Sequence, residues 1–162
     1  MKINMKIKTT LYIIEKAPDY FGITLLLVML ALVAIGVFYR IVLERPILWV
    51  NEAARYLMIW LVFIGASIGV KLGDHIAIDL LIERVPARLS QFVDCLIRGS
   101  MLLFSIIVLY WSVIYVSGIY AESTVLRISL KWVYASLPVS MILISIYLIR
   151  QIMDNVNALI RK

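Results

Sequence analysis

In the stretch ILWVNEAARYLMIW, residues 47–60, Glu52 and Arg55 stand three apart at the head of an apolar run. On a helix that spacing places a carboxylate and a guanidinium on one face, where they can pair with each other or with other helices. Little else in the chain offers chemistry. Asp74, His75 and Asp79 have metal-ligand side chains, but three such residues in a loop fit capping and loop–helix contacts better than metal binding. Ser67, Ser105, Ser112 and Ser117 have no base near them in sequence and read as helix-packing residues rather than nucleophiles. The single cysteine, Cys95, excludes an internal disulfide and a multi-thiolate metal site, and the single histidine excludes bis-histidine haem ligation. No catalytic centre, cofactor site or metal site is expected in this chain.

The elements that would hold Glu52 and Arg55 follow from composition. The chain has 162 residues, of which 64% are hydrophobic and 16% charged, with a mean hydropathy of +1.00. That excess over a soluble domain, with charges clustered between long uncharged runs, specifies an all-α integral membrane protein of one domain. Uncharged runs at residues 20–39, 56–70, 99–121 and 132–149 predict four long, tilted spans at about 20–43, 46–72, 87–121 and 130–151. The second run has only 15 uncharged residues, whereas crossing ~30 Å of hydrocarbon takes ~20. The span is long enough if its helix starts at Pro46, since proline is tolerated in a first turn. Glu52 and Arg55 then lie within its outer turns. Two readings stay open for them: a pair that neutralises itself at the interface, or an anchor that hydrogen-bonds other helices or a partner subunit.

Ile3, Ile7, Leu11 and Ile14 recur at helical spacing beside Lys2, Lys6 and Lys16. Residues 1–18 therefore suit an amphipathic helix lying in the interface, with a frayed basic tail as the alternative. No small-residue cleavage pattern follows the first apolar run, so a cleavable signal is not expected. With both termini cytoplasmic, inside segments carry eleven of the sixteen Lys and Arg and outside segments five, as the charge rule favours. The net charge of +6 then reflects basic loops against anionic lipid, not nucleic acid. Between spans two and three, Ile78, Leu81, Ile82 and Val85 form a short apolar stripe before Pro86, and Leu89, Phe92, Val93, Leu96 and Ile97 continue it. Gly65, Ala66 and Gly69 make a small-residue face suited to close helix contact. Tyr110, Trp111, Tyr115, Tyr120, Trp132 and Tyr134 gather toward the outer interface, and Pro138 should kink the fourth span.

The middles of the spans carry no ionisable residue and no broken pair of half-helices, which argues against a stand-alone transporter. The run through Trp49, Glu52–Arg55, Trp60, Gly65–Ala66, His75–Ile76, Asp79 and Val85–Pro86, followed by Ser123–Thr124, Trp132, Tyr134 and Leu137–Pro138, resembles the DctQ family. These are small membrane subunits of tripartite ATP-independent periplasmic (TRAP) transporters. One departure is RISLK, residues 127–131, more basic than the apolar, glycine- or proline-containing approach expected there. The resemblance implies a non-catalytic scaffold in the bacterial inner membrane. Its partners would be a large elevator-type permease subunit, which holds the sodium and substrate sites, and a periplasmic substrate-binding protein. The cargo would be an organic acid of the C4-dicarboxylate, keto acid or sialic acid class. The motif residues, with Pro138, would serve structure or the subunit interface; for Arg127 and Lys131 two readings stay open, docking of the binding protein or contact with lipid headgroups only. A membrane anchor for a redox enzyme complex is the alternative, and a small homo-oligomeric exporter a third reading that the missing membrane carboxylate disfavours.

Overall fold

The computed structural model describes residues 2–73 and 87–160, with side chains at 16–73 and 93–155. His75, Asp79 and Pro86 lie outside the described residues, as do Asp74 and the apolar stripe from Ile78 to Val85; so do the side chains of the N-terminal stripe. The elements in chain order are α1 (Lys2–Val42), α2 (Leu48–Leu72), α3 (Ala87–Ser117), α4 (Leu130–Tyr134) and α5 (Ser136–Ile160). Among the described residues four stretches are long and apolar enough to cross a membrane: Lys16–Val42, Leu48–Leu72, Val93–Ser117 and Leu130–Asn155. The all-α membrane class read from composition is the one observed.

Three boundaries differ from expectation. The helix at the N-terminus does not stop before the first span: α1 is one helix of 41 residues that runs through Pro18. Proline there removes the bond to the Ile14 carbonyl without ending the helix. At ~1.5 Å per residue α1 is ~62 Å long, twice the hydrocarbon thickness, so its first turns lie outside the span. Pro46 does not open α2, which starts at Leu48. It sits instead in the α1–α2 turn, where Glu44 takes a left-handed φ of 51° and the Arg45 N–H donates to the Tyr39 carbonyl at 3.2 Å. The fourth span is interrupted at Ala135. Pro138 lacks the N–H that would reach Tyr134, and its ring crowds that carbonyl. Regular bonding resumes with the Val139 N–H to the Ala135 carbonyl at 3.2 Å.

The chain divides into two compact units, Met1–Ile68 with Tyr120–Val133, and Gly69–Ile119 with Tyr134–Lys162. In the first, α1 and α2 run antiparallel. A Cβ at Gly22 would stand 3.4 Å from Ile68 Cδ1, and one at Gly36 would stand 3.0 Å from Val50 Cγ1. Phe21 meets Trp60 edge-on, with centroids 5.9 Å apart. Small residues are what let two membrane helices approach this closely. Gly36→Val is therefore expected to overpack the α1–α2 contact and cost about 1–3 kcal/mol, read as earlier thermal unfolding of the detergent-solubilised chain.

In the second unit α3 and α5 are antiparallel partners. Met141, Ile144 and Leu148 form the buried centre, with Val70, Met101, Leu102, Val108, Leu109 and Leu137 packed against it. Ser105 and Ser145 hydroxyls meet across the helices at 2.9 Å, one donating to the other while the acceptor donates to the carbonyl that lies near it on its own helix. Tyr115 and Tyr134 stack edge-on at 5.8 Å nearer the other end.

Candidate functional site

The loop between α3 and α4 is organised by its own backbone before any side chain acts. Glu122 and Ser129 form an antiparallel bridge. The Ser123 N–H donates to the Ile128 carbonyl at 2.9 Å, and the Leu130 N–H to the Ala121 carbonyl at 3.0 Å. Ser123 Oγ accepts from the Ile128 N–H at 3.3 Å. Arg127 closes the turn with a φ of 51°, a left-handed value that most residues avoid. The tip, Thr124 to Leu126, cannot pair within this small hairpin, so three successive N–H groups are left pointing one way. Such a run is a concavity for an anion.

Glu52 fills it. Its Oε1 accepts from the Thr124 N–H at 3.2 Å, and its Oε2 from the N–H groups of Val125 and Leu126, both at 3.0 Å. Tyr56, one turn along α2, donates its hydroxyl to Oε1 at 2.7 Å. The carboxylate is buried, with the residue 7% exposed. Four donors meet two oxygens, so the cost of placing a charge here is met by charge-assisted bonds. A second tie lies two turns further on, where Trp60 Nε1 donates to the Trp132 carbonyl at 3.1 Å. That carbonyl belongs to the short helix α4, whose last carbonyls have no partner within it.

Arg55 does not join this arrangement. Its side chain is exposed and its guanidinium lies 5.6 Å from the Tyr56 ring centroid. Among the described residues it forms no ion pair with Glu52; Arg98 and Asp94, by contrast, do pair on one helix, at 2.9 Å. The self-neutralising reading of Glu52 and Arg55 is thus not the geometry observed. Beside the latch lies an open depression of about 300 Å³, lined by Leu48, Asn51, Glu52, Arg55, Thr124 and Val125. Nothing in it resembles a reaction centre: the carboxylate is saturated with donors, and no group of metal-ligating side chains occurs among the described residues. The arrangement can hold backbone in place; it has no free base or nucleophile to offer.

Residues 29–158 match the family model for the DctQ component of tripartite ATP-independent periplasmic transporters. The chain belongs to this family. Among DctQ-related proteins, the small permease protein SiaQ of the sialic acid TRAP transporter of Vibrio cholerae is 29% identical over 83% of this chain and 79% of its own length. The small permease protein DctQ of the C4-dicarboxylate TRAP transporter from the same organism is 37% identical over 47% of this chain and 35% of its own. The sialic acid TRAP transporter permease protein SiaT of Haemophilus influenzae is 24% identical over 80% of this chain, but that match spans only 21% of SiaT. The chain therefore covers a minor part of some of the curated relatives it matches. Family membership and four apolar helices make it a multi-pass inner-membrane protein.

The remaining DctQ-like residues fall into two groups. Glu52, Trp60 and Trp132 come together at the loop, and Pro138 breaks the fourth span. Trp49, Gly65 and Ala66 are exposed and not buried within the chain, and a Cβ at Gly65 or Gly69 would meet nothing within 4 Å. Arg127 is exposed at the turn, and the Lys131 ammonium lies 4.9 Å from the Tyr120 ring centroid. Sequence reasoning missed Tyr56 and the three loop amides. Tyr56 carried a signal, four residues after Glu52 on one helix face; backbone donors carry none.

Proposed function

We propose that this chain is the non-catalytic small subunit of a sodium-driven TRAP transporter for an organic acid of the C4-dicarboxylate, keto acid or sialic acid class. It braces a separately encoded large permease subunit, which carries sodium and substrate, and offers the α3–α4 loop to a periplasmic substrate-binding protein. Both termini then face the cytoplasm, and Arg127 and Lys131 face the periplasm.

The Glu52 latch carries this reading. The most buried carboxylate among the described residues is consumed in fixing a loop, which suits a rigid support. The open face at Trp49, Gly65 and Ala66 is in keeping with a second membrane protein lying against α2. The relatives add to this. SiaT is named as a sialic acid TRAP transporter permease, and the part similar to this chain fills only 21% of it, which fits a small unit that works beside a much larger one.

The test is purification by a tag on this chain. A large membrane protein encoded separately should remain bound through detergent exchange, and binding-protein-dependent uptake in proteoliposomes should need both. Reversing the loop charges with Arg127→Glu and Lys131→Glu should lower that uptake while the membrane pair stays assembled. Uptake that survives complete deletion of this chain would overturn the scaffold reading.

A further inference from the structure

In the second unit a groove of about 450 Å³ opens along the bundle, lined by Val70, Ser100, Met101, Phe104, Ser105, Met141 and Ile144. Its walls are hydrocarbon in effect. The Ser100 hydroxyl is spent on the Ile97 carbonyl at 2.8 Å, and Ser105 is spent on Leu102 and Ser145. Among the described residues no charged side chain lines it, so it suits neither an ionic substrate nor a chain of waters.

One end of the groove is different. Val70, which lines it, receives the Gln151 amide on its carbonyl at 2.7 Å, and Gln151 accepts in turn from Arg98. These bonds bring three helices to one level, and the next residues in sequence are cations: Lys71 beside Val70, Arg150 beside Gln151, and Arg98 itself. By helical rise, Lys71 and Arg150 each stand one residue, ~1.5 Å, from this bonded level, and Arg98 is on it. Among the described residues two acids stand near this level, and Lys71 makes an interaction of its own. Asp94 is engaged by Arg98 at 2.9 Å and by Asn155 at 2.7 Å, and Asp154 is exposed one turn further out.

We propose that this groove holds an acyl chain of an anionic phospholipid whose phosphate headgroup rests among Lys71, Arg98 and Arg150. Apolar walls with three cations at the level of one end match the two halves of such a lipid, and basic pockets between membrane helices are where anionic headgroups settle. At roughly 1 kcal/mol for each basic residue near the headgroup, partly offset by the two acids, the site should favour an anionic over a zwitterionic headgroup by on the order of tenfold. The site is separate from the Glu52 latch and does not depend on the transporter reading.

The full chain, purified in neutral detergent and offered equal phosphatidylglycerol and phosphatidylcholine of identical acyl composition, should retain the anionic lipid preferentially by native mass spectrometry. Lys71→Gln with Arg150→Gln should remove the preference, and Ser100→Phe, which fills the groove and leaves every charge, should lower retention of both lipids. A photoreactive side chain in place of Phe104 should form an adduct with the mass of phosphatidylglycerol in cell membranes, a readout that does not depend on the filled variant folding. Equal retention of the two lipids would overturn the proposal. So would a preference that persists in Ser100→Phe, since the charges would then act without the groove, and so would an adduct to protein, which would make the occupant a partner helix.

Discussion

Glu52→Gln is expected to release the loop tip: amide exchange at Thr124, Val125 and Leu126 should quicken by roughly tenfold to a hundredfold, measured by hydrogen–deuterium exchange on the full chain. Glutamine keeps the length and the hydrogen-bonding oxygen of Oε1, but it replaces Oε2 with an amide that donates. Val125 and Leu126, both bonded to Oε2 at 3.0 Å, would then face a donor, or the amide would turn and leave the Thr124 N–H facing one while the Tyr56 hydroxyl switches to accepting. A buried donor without an acceptor is the expensive outcome. Glu52→Asp should fare little better, because a carboxylate one methylene shorter cannot reach all three amides. Tyr56→Phe should give a smaller effect, since three of four donors remain. Arg55→Gln should change exchange in the loop least of all, as its guanidinium reaches the latch only at Tyr56 and bonds none of the three amides. Exchanging the two charges, Glu52→Arg with Arg55→Glu, would keep both charges on α2 yet should still free the loop. Unchanged protection in Glu52→Gln would remove the latch.

That contrast marks where sequence reasoning stops. Span lengths were legible because hydrocarbon thickness and helical rise are fixed quantities, and the shortness of the uncharged run at 56–70 already forced Glu52 into α2. What Glu52 does there was not legible. Its partners are backbone N–H groups, which every residue but proline carries, and whether three of them converge depends on the turn. Here the turn depends on Arg127 accepting a left-handed φ of 51°, in the segment where the resemblance led one to expect glycine or proline. The small residues teach the same lesson. Gly65, Ala66 and Gly69 have the spacing of a packing face, but the glycines that meet a neighbouring helix are Gly22 and Gly36. Spacing defines a stripe on one helix, and the rotation of two helices against each other decides which stripe is covered. Pro138, by contrast, acts through covalent geometry alone, so an interruption of the fourth span could be anticipated, though not its position at Ala135.

Gln151 joins three helices with one amide, and Gln151→Leu is expected to lower stability by about 1–3 kcal/mol, read from unfolding of the full chain in detergent. Its nitrogen donates to the Val70 carbonyl at 2.7 Å, while its oxygen accepts from Arg98 Nη1. Leucine matches the volume and offers neither. The Val70 carbonyl still receives the Gly73 N–H at 3.2 Å, so the larger loss falls on Arg98. That guanidinium is mostly buried, its side chain 19% exposed, and would be left with Asp94 as its one described partner. Gln151→Glu separates the two contributions. It keeps an acceptor, now charged, for Arg98 and gives up the donor to Val70, so it should lose less than leucine does. If Arg98→Met is combined with Gln151→Leu, the double variant should be less destabilised than the sum of the single ones, because the guanidinium that leucine strands is gone. Additive effects would mean that Gln151 stabilises the unit through Val70 alone, and the α3–α5 contact would then rest on its apolar centre at Met141, Ile144 and Leu148.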